Sequence, residues 1–163
     1  MRNTLVALSA TLAFGTLAAP LAFAQSSAHT SMANDHMMVM PDELKWVDVP
    51  SLPPGAKLAV IEGPLNQTGP VTFRVKLPAN YQIPAHWHPA IEHVTVISGT
   101  FNMGMGDRLD RATTKALTAG GVAIMQPKTT HFAWNKEETI VQVHGMGPWG
   151  VTYVNPEDDP RKQ

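Results

Sequence analysis

One stretch of this sequence has the residue types and spacing to do chemistry. Asn80 to Gly99 reads Asn-Tyr-Gln-Ile-Pro-Ala-His-Trp-His-Pro-Ala-Ile-Glu-His-Val-Thr-Val-Ile-Ser-Gly, and His86, His88 and Glu92 are all even-numbered. Side chains two apart on extended backbone leave the same face. Two imidazoles and a carboxylate therefore converge, provided the Pro89-Ala90 step keeps the alternation. That donor set is borderline-hard and suits divalent Mn, Fe, Co, Ni, Cu or Zn. Read as plain surface residues, the three would stand without purpose beside Ile91, Val94, Val96 and Ile97. The chain has no cysteine, which excludes thiolate metal sites, a thiol nucleophile and disulfides. No Ser-His-Asp arrangement, phosphate-cradling Gly loop or Walker pattern occurs.

A second polar patch, Gln126-Pro127-Lys128-Thr129-Thr130-His131-Phe132-Ala133-Trp134-Asn135, puts His131 on an aromatic-rich run. Alone, such a histidine is more readily packed or hydrogen-bonded than ligating; beside the first patch it becomes a candidate fourth ligand. Glu92 can serve as ligand and as proton acceptor. His93 points away from Glu92 on a regular strand. His144 shares parity with Gln142, and both are expected to face the cavity. Tyr81, Trp87, Phe132 and Trp134 flank the ligands and either wall an apolar pocket or fill the core. Arg74 and Lys76 alternate with Phe73 and Val75, as on a solvated strand face. Gly145-Met146-Gly147-Pro148-Trp149-Gly150 reads as a rim hairpin that can act as a lid.

The elements that must position these groups are short and β-type. Candidate strands are Leu44 to Val49, Lys57 to Ile61, Val71 to Leu77, Ile91 to Ser98, Phe101 to Met105, Val122 to Met125, His131 to Trp134, Thr139 to His144 and Val151 to Val154. Pro- and Gly-rich turns separate them. Asp107 to Leu117 reads as a loop with a short strand. Many short strands with regular turn signals make an all-β sandwich or barrel.

The two polar patches together resemble the cupin superfamily. Its first motif runs Gly, five residues, His-x-His, three or four residues, Glu, six residues, Gly. Asn80 stands at the opening Gly, and His86, His88, Glu92 and Gly99 fit every spacing. The second motif runs Gly, five residues, Pro-x-Gly, two residues, His, three residues, Asn. Gly120, His131 and Asn135 fit, with Gln126 where Pro is usual and Lys128 where Gly is usual. The resemblance covers roughly Lys57 to Val154. It implies a single-domain jelly-roll (double-stranded β-helix) barrel with metal in one mouth. His86, His88, Glu92 and His131 would hold a divalent transition metal of open coordination, and Tyr81, Gln142, His144 and Trp134 would belong to the pocket. It also implies a homodimer, with Leu44 to Val49 as the pairing arm. Because the ligands must be deprotonated, metal is expected to leave between about pH 7 and 5, around the free histidine pKa.

Met1-Arg2-Asn3 is a short positive start, Thr4 to Phe23 is apolar, and Ala22-Phe23-Ala24 is a small-x-small cleavage pattern. Pro20 interrupts the run, so residues 1–24 are expected to be a signal peptide rather than an anchor, cleaved after Ala24. Periplasmic or secreted localisation follows. Residues 25–40 would form a flexible tail whose His29, Met32, His36, Met37, Met38 and Met40 are soft ligands able to capture copper. The cupin domain would span 41–155 and a C-terminal tail 156–163. The full chain has a net charge of −1, which becomes about −2 once Arg2 leaves with the signal, and this with no basic cluster argues against nucleic acid or a membrane surface as partner of the mature chain. The expected function is metal-dependent action on a small oxygen-bearing organic molecule, dioxygenase- or isomerase-like. The alternatives are a non-catalytic metal or ligand binder or sensor, and a cupin with a vestigial site.

Overall fold

The computed structural model describes residues 36–163, and the folded unit begins at Met37. The expected signal peptide, and the tail as far as residue 35, lie outside the described residues. Within them no helix is long and apolar enough to cross a membrane.

The described residues form eleven strands: β1 (Val47–Asp48), β2 (Lys57–Glu62), β3 (Gly69–Leu77), β4 (Gln82–Trp87), β5 (Glu92–Ser98), β6 (Thr100–Met105), β7 (Lys115–Thr118), β8 (Val122–Met125), β9 (His131–Trp134), β10 (Thr139–Gly147) and β11 (Thr152–Tyr153). They build two antiparallel sheets, one ordered β1-β2-β3-β10-β5-β8 and the other β11-β4-β9-β6-β7. This is the all-β jelly roll expected from the sequence. Alternation explains why the sheets face each other. On β3, Val71, Phe73, Val75 and Leu77 are buried, and Thr72, Arg74 and Lys76 turn outward. Val94 and Val96 of β5 and Val141 and Val143 of β10 complete that wall of the core, opposite Ile83, Phe101, Met103 and Ala133. Burying a side chain of this size contributes roughly 1.5–3 kcal/mol.

Two strands depart from the expected runs. β7 is the short strand anticipated inside Asp107 to Leu117, preceded by a 3-10 turn at Arg111–Thr113 whose Asp110 carboxylate accepts from Ala112 N–H. β4 is absent from the candidate runs because Pro84 interrupts it. Its pairing with β9 shows why proline is tolerated: Ile83 lies opposite Ala133 but His86 lies opposite His131, so β4 carries one extra residue at Pro84. A proline, lacking an N–H, fits such a bulge. The bulge also resets parity, so that Ile83 and His86 both point inward.

Asn135 locks the strand ends together. Its side-chain oxygen accepts from Tyr81 N–H at 2.9 Å, and its amide donates to the carbonyls of Pro78 (2.9 Å) and Glu137 (2.6 Å). The side chain is buried. Asn135→Ala is expected to cost about 2 kcal/mol, because it strands those backbone groups away from water; urea unfolding of the metal-free protein measures it.

The last residues follow the barrel surface. Asn155 and Asp159 cap successive 3-10 turns, and Arg161 donates to Val151 carbonyl and pairs with Asp159.

Candidate metal centre

The four predicted ligands meet at strand ends. His86 is near the end of β4, and His88 lies just past it. Glu92 opens β5, and His131 opens β9 directly opposite His86. The sequence reading drew His86, His88 and Glu92 on one length of extended backbone. In the fold, β4 and β5 belong to different sheets, so the motif turns a corner at Pro89–Ile91 and carries Glu92 to the facing wall. The Pro89-Ala90 step is a bend rather than extended strand, and all four side chains are buried.

The three imidazoles offer nitrogens within 4.8 Å of one another. Glu92 approaches two of them: Oε1 lies 3.5 Å from His88 Nε2, and Oε2 lies 3.3 Å from His131 Nε2. The same tautomer is imposed on every ring. Nδ1 of His86 lies 2.7 Å from Pro84 carbonyl, that of His88 2.7 Å from Gly150 carbonyl, and that of His131 2.9 Å from Thr129 carbonyl. A carbonyl can only accept, so each Nδ1 carries the proton and each Nε2 presents a lone pair inward. His88 Nε2 and Glu92 Oε2 are buried without a hydrogen-bond partner. With Glu92 ionised, its close approaches to His88 Nε2 and His131 Nε2 set lone pair against lone pair, which is costly in a shielded site unless a proton on Glu92 or a cation lies between them.

A divalent ion resolves that conflict. Donors bound at 2.0–2.2 Å from one ion stand roughly 3 Å apart, close to the 3.3 and 3.5 Å that separate Glu92 from His131 and His88. The backbone carbonyls behind the rings are the outer partners that orient metal-binding histidines elsewhere. His86, His88, His131 and Glu92 thus fit a divalent transition metal, and the donor set leaves its identity open.

Burial sets the proton affinities of the metal-free site. It drives His86 well below the usual histidine range, with His131 and His88 adding to the effect against the opposing Pro84 hydrogen bond. It lowers His88 to about 4 and lowers His131, in both cases against the pull of a backbone carbonyl. It pushes Glu92 up to about 8. In the metal-free site protons therefore compete first at Glu92, and burial lowers the proton affinity of all three imidazoles.

The turn before His131 departs in sequence but not in shape from the pattern it resembles. Asn80 and Lys128, which replace glycines, both adopt left-handed backbone, with φ of 61° and 63°. Lys128 N–H donates to His88 carbonyl at 2.8 Å and ties the two motifs together.

Above the cluster lies an apolar cavity of about 110 Å³. None of the four residues predicted for the pocket lines it. The Tyr81 hydroxyl donates to Pro53 carbonyl. Trp134 donates from Nε1 to Thr114 Oγ1 and lies under the Arg111 guanidinium. Gln142 accepts from Arg74 Nε, and His144 stacks on His93, rings 4.7 Å apart and 4° from parallel. Both belong to the outer face of β10, because Val141 and Val143 take the inner one.

The residue that sequence reasoning missed is Trp149. It lines the cavity, stacks on His88 with ring centroids 4.4 Å apart, and meets Phe73 edge-on at 5.4 Å. Its neighbour Gly150 supplies the carbonyl that orients His88. The segment expected to be a rim hairpin instead continues β10 to Gly147 and then folds Trp149 onto the ligands.

A two-sheet β barrel with a buried His-His-His-Glu cluster at the strand ends defines a cupin. The chain belongs to the ChrR cupin-like domain family, whose profile matches residues 34–148. No curated protein matches the sequence. Solved structures share the fold at low identity. The polyketide cyclase RemF from Streptomyces resistomycificus aligns at TM-score 0.63 and 16% identity, over 78% of this chain and 91% of its own. A candidate acetylacetone dioxygenase from Methylibium petroleiphilum PM1 aligns at 0.58 and 18%, over 77% and 85%. KdgF from Halomonas sp. aligns at 0.54 and 17%, over 68% and 93%.

Proposed function

We propose that this chain is an exported metal-dependent enzyme acting on a small oxygen-bearing organic molecule, dioxygenase- or isomerase-like. One observation carries the reading: four buried lone-pair donors, three held in a single tautomer from behind, border an apolar cavity rather than a closed core. A structural site would be sealed on all sides, whereas a catalytic one keeps room beside the ion. When bound, the metal supplies Lewis acidity toward a substrate oxygen and, if redox-active, electron transfer with dioxygen.

The chain's own residues do the rest. His86, His88 and His131 hold their positions through backbone carbonyls and need no proton movement. Glu92 is the carboxylate that borders the cavity and the group that can take a proton from the substrate. Trp149 and Phe73 keep bulk water from the cavity side of His88. Two fold neighbours carry names of enzymes for oxygen-bearing organic molecules, which agrees with the reading at the level of the fold. Dioxygen uptake by protein loaded with Fe, Mn or Cu, over catechols, flavonols and diketones, tests it. Silence across the panel at full metal occupancy would reject the dioxygenase form.

A non-catalytic metal carrier is the second reading. The observation favouring it is that Met37, Met38 and Met40 are 63, 88 and 62% exposed, an unusual place for thioethers. Deleting residues 25–40 lowers metal stoichiometry under that reading and leaves it unchanged under the first. Export itself predicts a mature chain starting at Gln25, read by mass spectrometry of the periplasmic or secreted protein. Homodimerisation is part of the same proposal and is tested by light scattering.

A further inference from the structure

The cavity beside the four ligands constrains what can enter it. Its polar lining consists of His86, His88, Glu92, His131 and Ser51, and the Ser51 carbonyl is already engaged by the Tyr153 hydroxyl at 2.9 Å. Every other lining residue is apolar, with Phe73, Phe101 and Trp149 the largest. No lysine or arginine is among the lining residues, so a carboxylate or phosphate on the body of a ligand would be buried without a counter-charge. That costs several kcal/mol. A hydroxyl-rich body such as a sugar would lose its hydrogen bonds to water and find no replacement. Size narrows the choice further. The cavity is about 110 Å³, and an apolar cavity of about 150 Å³ holds benzene.

Resting on the proposed metal-dependent activity, we propose that the substrate is a short neutral carbonyl or hydroxyl compound. Its oxygens would sit at one end, toward His86, His88, His131 and Glu92. Its body would be an unbranched or compact hydrocarbon of about five carbons or fewer, lying among Val94, Val141, Val143, Phe73 and Trp149. The ligand would carry no charge and no second polar group on that body.

The test is equilibrium binding to the Zn²⁺-loaded full chain, with zinc used because it is redox-inert. Metal uptake is measured first by elemental analysis, so a failure of the metal site is seen separately. Three probes are then compared by ligand-observed NMR and calorimetry. They are 2,3-pentanedione, 4,5-dioxohexanoate with the same oxygen pair and a carboxylate at the far end of the chain, and 1-phenyl-1,2-propanedione with the same oxygen pair on a larger body. The first is expected to bind at least about tenfold more tightly than the other two, from the burial penalties above. Val143→Phe, which fills the cavity, is expected to abolish dione binding and retain zinc. Equal binding of the charged or the larger probe would overturn the proposal. So would undiminished dione binding in a folded Val143→Phe protein; if that variant does not fold, the three-probe comparison on the unaltered chain decides alone.

Discussion

Replacing His131 with alanine is expected to weaken binding of a divalent metal by more than about a hundredfold, because altering even the outer partners of a metal ligand costs roughly 10–100-fold. His131 is the one ligand contributed by the second polar patch. It stands directly opposite His86 across β4 and β9, and its Nε2 is the nearer of the two imidazole nitrogens that meet Glu92. Without it two imidazoles and one carboxylate remain to hold the ion. Competition for Zn²⁺ against a chromophoric chelator measures the loss. His93→Ala is the matched control. His93 follows Glu92 in sequence but stacks on His144 at the outer face of the sheet, so its removal is expected to change affinity by less than about threefold. Unaltered zinc binding in a folded His131→Ala protein would remove His131 from the ligand set.

That contrast between adjacent residues shows what sequence could and could not tell. Strand parity identified His86, His88 and Glu92, because buried polar side chains at alternating positions in an apolar stretch have few other uses. The second motif added His131. The same parity argument misplaced Gln142 and His144: it says which residues share a face, not which face is inside. The information that decides was present in the chain, since Val141 and Val143 alternate with them and apolar side chains take the core. Pro84 hid β4, although proline at a bulge is compatible with a strand. Trp149 was harder to place. Its contact with His88 depends on β10 running three residues beyond the expected end and on the reversal that follows, which no local pattern encodes. Lys128 is the opposite case. A residue that breaks the motif in sequence keeps its backbone conformation, because the turn is held by the hydrogen bond from Lys128 N–H to His88 carbonyl.

The second large effect is a pair of opposed pH dependences above pH 6.5: the stability of the metal-free protein falls while its affinity for metal rises. Consider the metal-free barrel first. His86, His88 and His131 have folded pKa values below the unfolded value, so below about pH 6.5 the unfolded chain binds protons that the folded chain refuses. Stability is lost as the pH falls through that range. Glu92 works the other way. Its folded pKa of about 8 lies above the unfolded 4.5, so the folded chain keeps a proton that the unfolded chain has released. That contribution is fully present in acid and is lost as pH rises toward 8. Three groups outweigh one below 6.5, and only Glu92 acts above it. The metal-free protein should therefore be most stable near pH 6.5 and weaken toward pH 8, by about 1.4 kcal/mol per pH unit at most. Metal binding needs Glu92 ionised, so affinity should rise up to tenfold per pH unit toward 8, with about one proton released per ion, and then level off. The gap in Tm between zinc-saturated and chelator-treated protein should accordingly widen from pH 6.5 to 8. Thermal unfolding at several pH values measures the gap, and calorimetry in buffers of different ionisation enthalpy counts the proton. Glu92→Gln should abolish both the proton release and the alkaline weakening. A metal-free protein whose stability does not fall through this range would mean that Glu92 is ionised without a metal.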